Sequence, residues 1–169
     1  MKDYLENFWK DHKEEAEQKI KEMQIQLDQV KDTIFIEMAR VTNHPIYRND
    51  FTIYLTSLNR WPYNVRWWYT LSCILRKNFI TPFIHELLHF QTIIYYREYI
   101  MSKLQDNKKF EDLKEALTFL LNYEFKEIMD GYDKGYPQQQ ELRKKLEKYR
   151  VHSDKNFDTL IEYGCTLFQ

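Results

Sequence analysis

Two of the chain's five histidines stand four residues apart in the stretch TPFIHELLHFQTIIYY, residues 81–96, with a glutamate directly after the first. On a helix, positions i and i+4 share a face, so His85 and His89 can reach one ion. Zinc takes imidazole nitrogen readily, and a catalytic zinc keeps one coordination position for water. Glu86 lies one residue further around the helix. From there its carboxylate can take a proton from metal-bound water as that water attacks a carbonyl. The pattern predicts a metal-dependent hydrolase with His85 and His89 as ligands and Glu86 as general base. The competing reading is a pair of core histidines, each satisfied by a neighbour. At about 100° per residue, His85 and His89 lie with Thr92, Tyr96 and Tyr99, while Leu87, Gln91, Ile94 and Glu98 lie opposite. Both histidines therefore face inward together, as ligands in a cleft would. Glu86 and His89 also form an ExxH of the di-iron carboxylate type, but the chain holds no second ExxH to complete such a site.

A hydrolytic zinc site takes a third protein ligand. The acidic residues that follow are Glu111, Asp112, Glu115, Glu124 and Glu127. With one helix ending near Leu104 and the next starting near Lys108, His89 lies ~22 Å before the connecting loop and Glu124 ~24 Å after it. Glu115 lies only ~10 Å after it. Leu113, Leu117, Leu120, Leu121 and Ile128 make the apolar face of the second helix, with Glu124 in its middle. A carboxylate there must be paired or bound to metal. Glu115 falls with Glu111 and Asn122 on the polar side. This predicts Glu124 as third ligand and Glu115 as the alternative. The non-metal use of Glu124 is a salt bridge to an Arg or Lys of another element.

The elements around this site follow from periodicity and breakers. Ile20, Met23, Leu27, Val30, Ile34, Met38 and Val41 repeat at helical spacing within residues 3–41, which predicts one long N-terminal helix or two short ones. It either packs on the core or forms a coiled-coil dimer arm. TNHPIYRND breaks it at Pro45. FTIYLTSL, residues 51–58, is strand-like, NRWPYN is a turn, and VRWWYTLSCIL is a second strand or the lead into the next helix. Thr81 as cap and Pro82 at the first position start the HExxH helix, which runs to about Leu104. Asn107 caps a helix from Lys108 to Met129, which DGYDKGYP ends. QQQELRKKLEKY is a further helix, and NFDTLIEYGCTLF is a short apolar helix docked on the body. The expectation is an α+β fold, mostly α. It is one domain over residues 1–169, with a helical arm over 1–43, a metal-site core over 51–130 and a small sheet or hairpin.

The totals fit one such domain. Gly and Pro number only 3 and 4, while apolar residues make up 43%, which favours a packed helical fold over a disordered chain. The net charge is -1 with both signs interspersed, which points away from nucleic acid and anionic membranes. Arg60, Arg66, Arg76 and Lys77 among aromatics in residues 60–79 make a stacking platform for single strands a minor alternative. Cys73 and Cys165 form no CxxC pair, which argues against a disulfide scaffold or a zinc ribbon. The N-terminus has no apolar signal region and no stretch reaches the ~18 residues of a membrane span. A cytoplasmic protein is expected.

His85, Glu86 and His89, with FTIYLTSL before them and KEALTFLL after them, resemble the zincin metallopeptidases of the gluzincin type. The whole chain also resembles small uncharacterised bacterial proteins with a similar HELLH and LKEALT layout. The zincin resemblance covers about residues 51–130. It implies an HExxH zinc peptidase, a glutamate ligand from a following helix, and an edge strand, here FTIYLTSL, that holds peptide substrate. In that family a small residue often follows the ligand glutamate, which favours Glu115, the glutamate of KEALT. The implied cofactor is Zn2+ and the implied partner a peptide or protein substrate, with a homodimer through the N-terminal helix as a further possibility. Tyr132, Tyr136, Arg143 and His152 are candidates to stabilise the oxyanion, His152 reading more as a surface loop residue. The alternative is a non-catalytic helical interaction protein with a structural or vestigial metal site.

Overall fold

The computed structural model describes residues 9–56, 70–74, 78–153 and 156–168. The chain is α+β and mostly α. Helix α1 is Lys13–Thr42, α2 is Ile80–Leu104, α3 is Asn107–Leu117, and α4 is the single turn Leu121–Glu124. Helix α5 is Gln140–His152 and α6 is Phe157–Thr166. Two short strands, β1 (Thr52–Thr56) and β2 (Thr70–Ile74), pair in parallel with Thr52 opposite Thr70. A tight hairpin is therefore not what joins them, because parallel strands need a long crossover. The turn predicted around Pro62 and most of the basic-aromatic stretch 60–79 lie outside the described residues.

Helix α2 is the centre of the fold, with α1, α3 and α6 packed against it. Phe83, Ile84, Leu87, Leu88, Phe90 and Gln91 are all buried. Near the HExxH motif the helix is thus covered all round, and the wheel's opposite face is not a solvent face there. Ile94 and Glu98, one and two turns on, do reach solvent. The apolar stripe of α1 divides. Ile34, Met38 and Val41 are buried in the core, whereas Ile20 is exposed. The C-terminal half of α1 is a core helix by virtue of that burial.

Helix α3 begins one residue before the expected position. Asp106, not Asn107, is its cap, accepting from the backbone N–H groups of Lys108 and Lys109. It also ends early. A 3-10 turn at Thr118–Leu120 and the single turn α4 replace the continuous helix expected to Met129. Helix α6 closes the core over α3 at Gly164, where a Cβ would lie 2.6 Å from Leu113 Cδ1. Among the described residues, no helix is long and apolar enough to cross a membrane.

Candidate metal centre

The motif helix is anchored from a distant loop. Asp130 Oδ1 accepts from Thr81 N at 2.9 Å and from Thr81 Oγ1 at 2.7 Å, and its Oδ2 accepts from Ile80 N at 3.2 Å. Thr81 is therefore inside the helix rather than its cap. The oxygen that a local cap would supply comes from Asp130, whose negative charge also suits a helix N-terminus. Through this anchor the loop after α4 is fixed beside the first turns of α2, and Asp133 of that loop reaches His85.

The three groups that converge are His85, His89 and Glu115. Glu115 Oε2 lies 3.2 Å from His89 Nε2 and 3.7 Å from His85 Nε2. The imidazole rings have centroids 4.4 Å apart and stand nearly perpendicular, at 79°. One ligand atom from each of the three residues lies within 4.8 Å of the other two. Bonds of 2.0–2.1 Å at tetrahedral angles would set neighbouring donors ~3.4 Å apart. The spacing here brackets that distance, and two imidazole nitrogens with a carboxylate oxygen are a donor set zinc accepts. Glu115 Oε2 is buried and accepts no hydrogen bond among the described residues. The same is true of Glu86 Oε2, on the buried carboxylate next to the first histidine. The arrangement can hold one divalent metal ion, with an open carboxylate beside it.

A second carboxylate fixes the first histidine. His85 Nδ1 is 3.3 Å from Asp133 Oδ1, which leaves Nε2 for Glu115 and an ion. Metal-binding imidazoles are commonly oriented by a carboxylate in this way. Asp133 is held in turn by Arg143, whose Nη1 and Nη2 donate to its Oδ2 and backbone oxygen at 3.1 and 3.0 Å. Asn122 exchanges two hydrogen bonds of 2.9 Å with the Asp133 backbone. The turn that delivers it needs Gly135, which has φ 61° and would place a Cβ 2.5 Å from Arg143 Nη1.

These contacts set the protonation of the metal-free site. Burial alone would lower the pKa of His85, but the Asp133 and Glu115 carboxylates raise it to about 10. Burial, with the charge of His85, pushes His89 down to about 3. Burial would raise Glu115, yet the two histidines hold it far below the usual carboxylate range. Asp133 behaves likewise, at about 2, chiefly through His85. Glu86 is the exception. Burial raises it to about 7, and the His85 charge offsets this only in part.

Glu124 does not join the site. Its Oε2 meets Arg40 Nη2 at 2.6 Å and its Oε1 meets Arg150 Nη2 at 2.7 Å. This partly buried carboxylate is satisfied by a salt bridge, the non-metal use open to it. The glutamate that reaches the histidines is Glu115. The single helix expected from Lys108 to Met129 is broken: α3 ends at Leu117 and a 3-10 turn separates it from Glu124, so Glu124 is not carried on the helix that holds Glu115. The long Arg97 side chain bridges α2 and the start of α3, its Nη2 donating to Asn107 Oδ1 at 2.9 Å and its guanidinium lying over the Phe110 ring.

The other sequence candidates are placed apart from the ligand cluster. Glu111 pairs with Lys114 at 2.7 Å, Asp112 accepts from Gln139 at 2.8 Å, and Glu127 is exposed beside Lys126. Arg143 is buried against Asp133, while Tyr132 and His152 are exposed. Of the four oxyanion candidates, Tyr136 is the one whose hydroxyl feels the site. Burial and the Glu115 and Glu86 carboxylates raise its pKa. Asp133 and Lys114 are site neighbours that sequence reasoning missed. Asp133 sits in a polar turn and carries no local signal. Lys114 had one, because it falls between Phe110 and Leu117 on the buried side of α3.

No family model, no curated protein and no solved structure matches the chain.

Proposed function

We propose that this chain is a zinc-dependent hydrolase of the zincin kind that cleaves peptide bonds with metal-activated water. The observation that carries the reading is the meeting of His85, His89 and Glu115 at ligand spacing beside the buried, unpartnered carboxylate oxygen of Glu86. When bound, zinc supplies Lewis acidity and a water of lowered pKa. His85 and His89 would hold the ion through Nε2, and Glu115 through Oε2. Asp133 keeps the His85 ring in place and accepts its Nδ1 proton. Glu86 takes the proton of the attacking water and returns it to the leaving amine. A buried carboxylate with an open oxygen beside the ligand cluster suits both halves of that task. Tyr136, at the rim, donates its hydroxyl to the oxyanion. A cytoplasmic setting accords with the free Cys165 thiol.

The competing reading is a metal-free ion cluster, favoured by the position of His85 between two carboxylates. An imidazolium there would be a structural cation in an interaction protein. The zinc-loaded protein is assayed against a fluorogenic peptide library, beside Glu86→Gln. Cleavage that falls ~10²–10⁴-fold in Glu86→Gln, with zinc content unchanged, supports the hydrolase. A zinc-loaded parent that cleaves no peptide, or a Glu86→Gln variant as active as the parent, refutes it.

A further inference from the structure

Lys114 is a buried lysine, 2% exposed, immediately before the glutamate of the metal cluster. Its ammonium meets Glu111 Oε2 at 2.7 Å and Glu115 Oε1 at 3.6 Å. The two oxygens of Glu115 thus face opposite ways in charge. Oε1 lies toward a fixed cation, and Oε2 lies between the two histidine Nε2 atoms. Phe110, Leu113 and Leu117 of the same helix are buried as well, so the lysine's charge is carried in an apolar stretch and is met there by the Glu111 and Glu115 carboxylates.

From this division of Glu115 we infer that Lys114 is a positioning residue that keeps Glu115 a one-oxygen ligand. The inference rests on the metal reading above. A carboxylate can bind an ion through one oxygen or both. Taking both would fill the coordination position that a catalytic zinc leaves to water. By attracting Oε1, Lys114 disfavours that closure, and its positive charge also opposes the ion. The site is therefore kept open at some cost in affinity. Lys114 is placed to act on the site through its pair with Glu115 and through its charge.

The test is zinc K-edge X-ray absorption on the full chain, with a competitive zinc titration, for the parent, Lys114→Met and Lys114→Arg. Circular dichroism and thermal melting check the fold, and Lys114→Gln is read if Lys114→Met does not fold. Zinc is expected to keep about four light-atom ligands in both the parent and Lys114→Met, while in Lys114→Met the carboxylate carbon scatters from closer to the ion, as the second Glu115 oxygen takes the position of water. Zinc is held as tightly or up to roughly tenfold more tightly in that variant, and Lys114→Arg keeps the parent's coordination. A purely structural lysine would move the melting temperature and neither zinc readout. Unchanged coordination in folded Lys114→Met, or weaker zinc binding without a change in coordination, overturns the inference while leaving the metal site standing. A parent that binds no zinc overturns the metal reading, and the inference with it.

Discussion

Replacing Glu124 by Ala should separate stability from metal binding. Glu124 joins Arg40 of α1 to Arg150 of α5, with N–O distances of 2.6 and 2.7 Å. The Arg40 side chain is 54% exposed, so that half of the pair is worth at most about 1 kcal/mol. Arg150 is 7% exposed, and removing its carboxylate partner takes a buried charge pair apart, at roughly 3–5 kcal/mol. In a chain of this size each kcal/mol moves the melting temperature by about 2–4 °C. Glu124→Ala should therefore melt roughly 6–24 °C below the parent. Its zinc content, measured at a temperature where it is folded, should equal the parent's. Differential scanning calorimetry and elemental analysis of one preparation give both numbers. A variant that melts like the parent but loses its zinc would refute both the clamp and the assignment of Glu115.

The clamp also has a pH signature. Burial would raise the Glu124 pKa, but hydrogen bonds from Arg150 and Arg40 hold it below its ordinary value of 4.5. Its stabilisation is thus complete above that value and is lost as pH falls through the folded-state value. Glu124→Gln should show a shallower acid fall in stability than the parent, and an identical fall would count against the clamp. Asp133→Asn should weaken zinc binding ~10–100-fold without abolishing it, because it loosens His85 rather than removing a ligand. An unchanged zinc dissociation constant would argue against that orienting role. Asp130→Ala removes the oxygen acceptors from Ile80 and Thr81 at the start of α2. It should cost about 1–3 kcal/mol in denaturant unfolding, and a loss below ~0.5 kcal/mol would show that water replaces the cap.

Much of the fold was legible in the sequence, because local periodicity and burial agreed. The stripe of α1 ends in Ile34, Met38 and Val41, all of which are buried. The HExxH helix runs to Leu104, as its unbroken apolar pattern indicated. The α+β, mostly α class followed from the same pattern. What local pattern could not supply was relative placement. The parallel pairing of β1 and β2 depends on their connection, not on either strand's composition. The cap of α2 comes from Asp130, fifty residues away in sequence (130 − 80), where no capping rule looks.

The candidate site shows the same limit. His85, Glu86 and His89 share one helix, so their spacing alone brought them together. Which glutamate meets the histidines depended on where α3 ends, because its stop at Leu117 takes Glu124 off the helix that carries Glu115. An isolated polar residue on an apolar face was read correctly as needing a partner in Glu124. Helical spacing could not tell two arginines from an ion as that partner. Small-residue context, the Ala116 after Glu115, singled out the glutamate that stands beside the two histidines, whereas lengths along an idealised hairpin singled out Glu124.

The most direct measurement is metal content by elemental mass spectrometry of the purified parent, His89→Ala and Glu115→Ala, each checked for fold by circular dichroism. The expected result is about one zinc per parent chain, lost in both variants. A folded parent that takes up no metal when zinc is supplied, or a Glu115→Ala variant that keeps its zinc, would contradict the account.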